Sequence, residues 1–205
     1  MWVSNREGQV PRMDAKAVSS TPPGEPPAWV RRFLPLVKPG GRVLDLAAGG
    51  GRHCRLLREA GFKVTAVDRQ IAPLIEACGQ DKDVSIVEMD LETGSPWKLG
   101  GDWDGIVVTN YLHRPLLPAI GAALAWEGVV IYETFALGNE RFGKPSNPDF
   151  LLGPGELATA FGPPLSIVAF EQGFVQKPRP AAIQRIAARK GPPGALPIEE
   201  PSKEG

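Results

Sequence analysis

Residues 43–53 read Val43-Leu44-Asp45-Leu46-Ala47-Ala48-Gly49-Gly50-Gly51-Arg52-His53, an apolar run that passes through three glycines into a stretch of helical pattern. From Arg52 to Ala60, Leu56, Leu57 and Ala60 fall on one side and Arg52, Arg55 and Glu59 on the other, so the segment reads as strand, tight turn and amphipathic helix. Glycine in such a turn lets the backbone bend sharply and lets a ligand approach main-chain atoms with no Cβ between. The helix start adds free N–H groups and about half a positive charge, which suit a carboxylate or phosphate. By itself a glycine-rich turn equally serves as a flexible connection.

The pattern continues outward from this turn. Ala28 to Leu36 reads as a short amphipathic helix stopped by Lys38-Pro39-Gly40-Gly41, and Arg42 to Leu46 as a buried strand. After the cap at Gly61 come a strand over Lys63 to Val67, a helix over Ile71 to Cys78, and strands over Val84 to Glu88 and Trp103 to Thr109. A helix over Pro115 to Trp126 and a strand over Gly128 to Phe135 follow. The chain then reads as a short helix over Glu156 to Phe161 and strands over Leu165 to Phe170 and Ala182 to Ala188, close enough to pair antiparallel. Alternating strands and helices predict an α/β fold: a doubly wound, mainly parallel sheet covered by helices on both faces, with an antiparallel C-terminal pair. Ligands of such sheets lie beyond the carboxyl ends of the strands, where the strand order reverses.

Composition bounds the rest. Residues 1–26 are polar and end in a proline-rich run, and residues 191–205 repeat that character, so both are expected as disordered ends around one domain over residues 27–190. Lys plus Arg equals Asp plus Glu at 23 each, which argues against nucleic acid as a partner and leaves a small-molecule substrate and a monomer as the expectation. Two distant cysteines, Cys54 and Cys78, and two histidines support neither a disulfide framework nor a zinc site. With no signal-like leader and no apolar run near the roughly 20 residues of a membrane span, the expected location is the cytoplasm, with no membrane partner.

Asp68 lifts the glycine turn above a connection. It ends the second strand seventeen residues after Gly51, where an acid accepts hydrogen bonds from both hydroxyls of an adenosine ribose; otherwise it caps the following helix. A nicotinamide fingerprint starting at Gly49 would require glycine where Cys54 stands, so a nicotinamide cofactor is disfavoured. Asp45, Asp68 and Met89-Asp90-Leu91-Glu92 together resemble the class I S-adenosylmethionine-dependent methyltransferases. The segments Asn110-Tyr111-Leu112-His113-Arg114-Pro115 and Tyr132 to Pro145 resemble the bacterial branch near the tellurite-resistance and thiopurine methyltransferases.

The resemblance implies S-adenosylmethionine as cofactor. It places Asp45 and the turn Ala47 to Gly51, with Gly49, at the methionine part, Asp68 and Arg69 at the ribose, and Asp90 with the Leu91 backbone at the adenine, with Asn110 nearby. Ala47 stands where many members carry glycine. Asn110 is not followed by the Pro-Pro-aromatic element of amino-directed enzymes.

The acceptor side is left to chemistry. Histidine's unperturbed pKa lies near neutrality, so His113 is a candidate general base, or else a helix-entry histidine; Glu133 is the second candidate. Ala136 to Pro154 is longer than the roughly 12–15 residues of a plain connector, so it is the candidate substrate wall, with Tyr111, Asn139, Arg141 and Lys144 as contacts. A regulator that binds the cofactor without turnover, and an enzyme acting on RNA or protein, remain the alternative readings.

Overall fold

The computed structural model describes residues 24–94 and 97–194. Its elements are α1 (Ala28–Phe33), β1 (Arg42–Leu46), α2 (Arg52–Glu59), β2 (Lys63–Asp68), α3 (Ala72–Cys78), β3 (Val84–Glu88), β4 (Trp103–Thr109), α4 (Leu117–Ala122), β5 (Leu124–Phe135), α5 (Glu156–Ala160), β6 (Leu165–Val175) and β7 (Ala181–Lys190). Seven strands form one sheet in the order β3-β2-β1-β4-β5-β7-β6. The first five run parallel, and β7 pairs antiparallel with both β5 and β6. The order reverses between β1 and β4, which opens a crevice at their carboxyl ends. The expected α/β architecture is the observed one.

Strands buried on both faces must be apolar at successive positions, and alternate residues then feed separate cores. Ile106, Val108, Val130, Tyr132 and Ile186 pack with Leu157 and Phe161 on the face of α4 and α5. Val43, Val107, Val129, Ile131 and Ala187 pack on the other face with Trp29, Phe33, Leu57 and Leu74. Toward the carboxyl end of the parallel strands the same face turns polar: Thr109, Glu133 and Arg185 stand level on β4, β5 and β7, with Asp45 on the adjoining β1. That polar row is the ground on which the site is built.

Two elements depart from the expectation. The helix expected over Pro115 to Trp126 is a 3-10 turn (Arg114–Leu116) followed by α4, which ends at Ala122. Ala123 accepts from the Trp103 amide, and Leu124 is drawn beside Trp103 as the first pair of a register-shifted β4–β5 ladder. Tertiary pairing thus overrides the helix propensity of Leu124-Ala125-Trp126. The final strands also run longer than expected, β6 to Val175 and β7 to Lys190. Residues 1–23 and 195–205, most of the two expected disordered ends, lie outside the described residues.

Gly51 couples the turn to this packing. Its φ is +79°, and a Cβ there would stand 3.2 Å from Ala77 Cβ and 3.3 Å from Cys78 Sγ and Leu74 Cδ2, all on α3. Gly40, with φ +69°, has open space around its Cβ position. Gly40→Ala is therefore expected to cost only the left-handed strain, about 1–2 kcal/mol, and Gly51→Ala that strain plus about 1–3 kcal/mol of overpacking. Urea unfolding of the two variants side by side measures the difference.

Candidate functional site

Helix α2 begins with two residues that reach into the polar row. Arg52 Nη2 donates to Thr109 Oγ1 at 2.7 Å, His53 Nε2 lies 3.3 Å from the same oxygen, and His53 Nδ1 lies 3.2 Å from Asp45 Oδ1. A guanidinium only donates and a carboxylate only accepts, so with a neutral imidazole the protons have one consistent arrangement. Arg52 donates to Thr109, the Thr109 hydroxyl donates to Nε2, and Nδ1–H donates to Asp45. This chain pins the start of α2 to β1 and β4 at once. Burial draws the Arg52 guanidinium below its ordinary pKa, against the pull of Asp45 and Glu133. Asp45 is fully buried, and its Oδ2 has no hydrogen-bond partner among the described residues.

Between Asp45 and Arg52 the backbone is committed to left-handed turns. Ala47 has φ +53°, Gly49 +57° and Gly51 +79°. The Gly49 amide donates to Asp68 Oδ2 at 2.8 Å, and Asp68 Oδ1 accepts from the Gln70 amide at 2.9 Å. Each carboxylate oxygen still has an unused lone pair facing the carboxyl edge. No atom lies within 4 Å of a Cβ built on Gly49, so open space borders the turn there. Gly51 differs: its Cβ space is filled by α3, so this position also answers to helix packing.

Next along the same edge, beyond β3, is a cavity of about 240 Å³ lined by Met89, Asp90, Leu91, Trp97, Leu99 and Leu116, among others. Asp90 Oδ1 accepts from the Glu92 amide at 2.8 Å and so shapes the turn at its mouth. Trp97 forms part of the wall, whereas Trp103 is buried in the core. The Tyr111 hydroxyl is buried without a partner, and burial, then Glu92 and Asp90, push its pKa up. A larger cavity of about 670 Å³ lies at the opposite, amino end of the parallel strands, lined by residues such as Leu117, Trp126, Pro163, Pro164 and Leu165. The Lys190 ammonium at its wall is held by the Ala122 and Leu124 carbonyls. The glycine turn, Asp68 and the smaller cavity share the carboxyl end of the parallel strands.

A methyltransferase-domain family model matches residues 21–141. The chain belongs to that family. No curated protein matches it. The TehB structure from Haemophilus influenzae superposes with a TM-score of 0.63 at 20% identity, over 79% of this chain and 61% of that one, so the chain spans about three-fifths of the Haemophilus protein. An S-adenosylmethionine dependent methyltransferase from Mesorhizobium loti gives 0.60 at 18% identity over 78% and 95% of the two chains. A TehB-like enzyme from Corynebacterium glutamicum gives 0.55 at 19% identity over 79% and 86%. At these identities the likeness is one of fold.

S-adenosylmethionine is the cofactor of the methyltransferase, and the residues present fit that group. The open side of Gly49 admits a ligand against the backbone, Asp68 has acceptors to spare for hydroxyls, and the unfilled Asp45 Oδ2 suits a cationic or N–H donor. Asn110, also left-handed at φ +54°, follows β4 with its amide on the Glu133 carbonyl. Arg69 is exposed beside Asp68.

The acceptor-side residues of the methyltransferase fall into two groups. His113 is half-buried at the entry to the 3-10 turn, and its ring has no hydrogen-bond partner among the described residues. Arg141 and Lys144 are exposed on the loop after β5. Glu133, by contrast, faces Arg185 at 3.4 Å; burial raises its carboxyl above the usual range while Arg185 and Arg52 oppose the shift. Asn139 corrects the expected substrate contact: it is buried, its Nδ2 donates to the Pro145 carbonyl and its Oδ1 accepts from the Ala182 amide. One end of its amide closes the loop on itself and the other fastens it to β7.

Two stability predictions follow from the turn and its support. Thr109→Val leaves Arg52 without an acceptor and His53 Nε2 without a donor, and should lower stability by about 1–3 kcal/mol in urea unfolding. Ala47→Gly relieves about 1–2 kcal/mol of left-handed strain against about 0.4–1 kcal/mol of added backbone entropy. The variant should therefore melt at or slightly above the parent temperature by calorimetry.

Proposed function

We propose that the methyltransferase transfers the methyl group of S-adenosylmethionine to a small-molecule acceptor held over the carboxyl ends of β4 and β5. The observation that carries this is the order of groups along one edge: the left-handed turn at Ala47 to Gly49, the acid Asp68 bonded to that turn, and the cavity behind Asp90 and Leu91. The turn, backed by Asp45, takes the methionine part; Asp68 and Arg69 take the ribose; Asp90 and Leu91 take the adenine, with Asn110 closing the edge.

When bound, S-adenosylmethionine supplies a methyl carbon activated by a sulfonium. What remains for the chain is to align an acceptor and keep water out, and such positioning lowers a barrier by about 7–11 kcal/mol. His113 has a free ring to take a proton from an acceptor that must lose one. Arg141 and Lys144 on the loop after β5 face the acceptor. A net charge of zero provides no general field for a polyanion, which favours a small-molecule acceptor. No helix among the described residues is long and apolar enough to cross a membrane.

Two measurements test this reading. Asp68→Ala should weaken S-adenosylmethionine binding by about 1.5–3 kcal/mol in calorimetry; unchanged affinity in a folded variant removes the ribose assignment. Incubating the full chain and a heavy-methyl cofactor with cell extract should yield one or more labelled small molecules by mass spectrometry. Cofactor binding with no labelled product and no S-adenosylhomocysteine formed would make the protein a non-catalytic binder.

A further inference from the structure

The β6–β7 hairpin brings a second set of residues to the acceptor side. Because β7 runs antiparallel to β5, with Phe135 opposite Ile183, the hairpin tip at 176–180 extends past the carboxyl end of β5, beside the loop after it. Phe174 connects the two. Its ring lies edge-on to Phe142 at 5.7 Å between centroids, and a Cβ on Gly138 would stand 3.4 Å from it. Both rings remain open to solvent, Phe174 at 61% and Phe142 at 44%. The Asn139 bond to the Ala182 amide holds loop and hairpin as one wall.

Cations surround this aromatic pair in the sequence of both segments. Arg141 and Lys144 come from the loop and Lys177 and Arg179 from the hairpin tip; all four are exposed. Among the described residues no carboxylate lies within ion-pair distance of any of them, whereas Arg58, Arg114, Arg185 and Arg189 elsewhere are all paired. The loop also carries two acids, Glu140, whose carboxylate accepts from the Gly138 amide, and the exposed Asp149. Positive charge without a carboxylate partner and exposed aromatic surface thus meet at this end of the sheet, with the Arg179 guanidinium 5.5 Å from the Phe135 ring centroid.

We propose that this wall selects the acceptor, and that the acceptor is a small anion with a planar apolar body: a carboxylate, sulfonate or similar group for the cations, and a flat face for Phe142 and Phe174. The acceptor role rests on the methyltransferase reading; the binding preference does not. Aromatic rings offer stacking surface, and guanidinium groups bind planar anions through paired N–H donors. Four cations at one edge are too few for a nucleic-acid track, which commonly engages about 6–10 phosphates. Of the residues involved, Phe174, Lys177 and Arg179 lie outside every motif that the sequence pattern singles out.

The test uses the full chain, first without cofactor, titrated with 1-naphthoate and with the neutral 1-naphthalenemethanol. The naphthoate should bind roughly tenfold more tightly, with amide shifts at Phe142, Phe174 and Lys177 in NMR spectra. In the double variant Lys177→Gln/Arg179→Gln that preference should collapse, while S-adenosylhomocysteine affinity stays within about twofold, since no tip residue reaches the cofactor edge. Equal binding of the two compounds, a preference that survives the double variant, or tighter binding of oligouridylate or phosphatidylglycerol vesicles at these residues would overturn the proposal. Failure to bind S-adenosylhomocysteine while the naphthoate preference holds would count against the cofactor site alone and leave the anion wall standing as a binding site.

Discussion

One chain of hydrogen bonds fixes the geometry on which the rest of the site depends. Arg52 and His53, the first two residues of α2, reach Thr109 on β4 and Asp45 on β1 across the point where the strand order reverses. The backbone between Asp45 and Arg52 has little freedom once both of its ends are held. It takes up left-handed conformations at Ala47, Gly49 and Gly51 and presents the open side of Gly49 to the crevice. Preorganisation of this kind matters because a ligand that must order its own turn loses affinity to that ordering. A buried polar row is costly unless each member is paired, and here the one acceptor left over, Asp45 Oδ2, lies behind the turn that receives the cofactor.

The same row continues to the acceptor side. Glu133 and Arg185 occupy the equivalent positions on β5 and β7, and Arg185 also pairs with Glu171 and lies 4.7 Å from the Trp29 ring centroid. The edge of the sheet is thus charged and rigid below, with the loop after β5 and the β6–β7 hairpin standing above it. β4, whose end carries Thr109, Asn110, Tyr111 and His113, lies between the proposed cofactor edge and the proposed acceptor wall.

Much of this was legible in the sequence. The alternation of strands and helices identified the architecture, because buried parallel strands must be apolar and crossover helices must be amphipathic. Strand, glycines, helix and Asp68 in order point to the carboxyl edge as the place for a cofactor. What periodicity could not supply was long-range pairing. Leu124-Ala125-Trp126 satisfies a helix until Trp103 draws it into a ladder. Asn139 resembles a polar contact until its amide is found fastened to Pro145 and Ala182. Gly51 and Gly49 look alike as letters, and only packing against α3 separates their roles. The relay through His53 and Thr109 joins residues 56 positions apart, so no local pattern announces it; the proximity of Arg52 and His53 to the glycines was its one visible trace.

On the proposed function, the edge formed by Gly49, Asp68 and Leu91, and not the larger cavity at the amino end, receives the methyl donor. Titrating isotope-labelled protein with S-adenosylhomocysteine and following backbone amides by NMR tests it most directly. The account predicts saturable shifts at Gly49, Asp68, Asp90 and Leu91 that share one dissociation constant, with Gly121, Ser166 and Lys190 unmoved. Saturable shifts centred on Gly121, Ser166 and Lys190, or no saturable shift at Gly49 and Asp68, would contradict it.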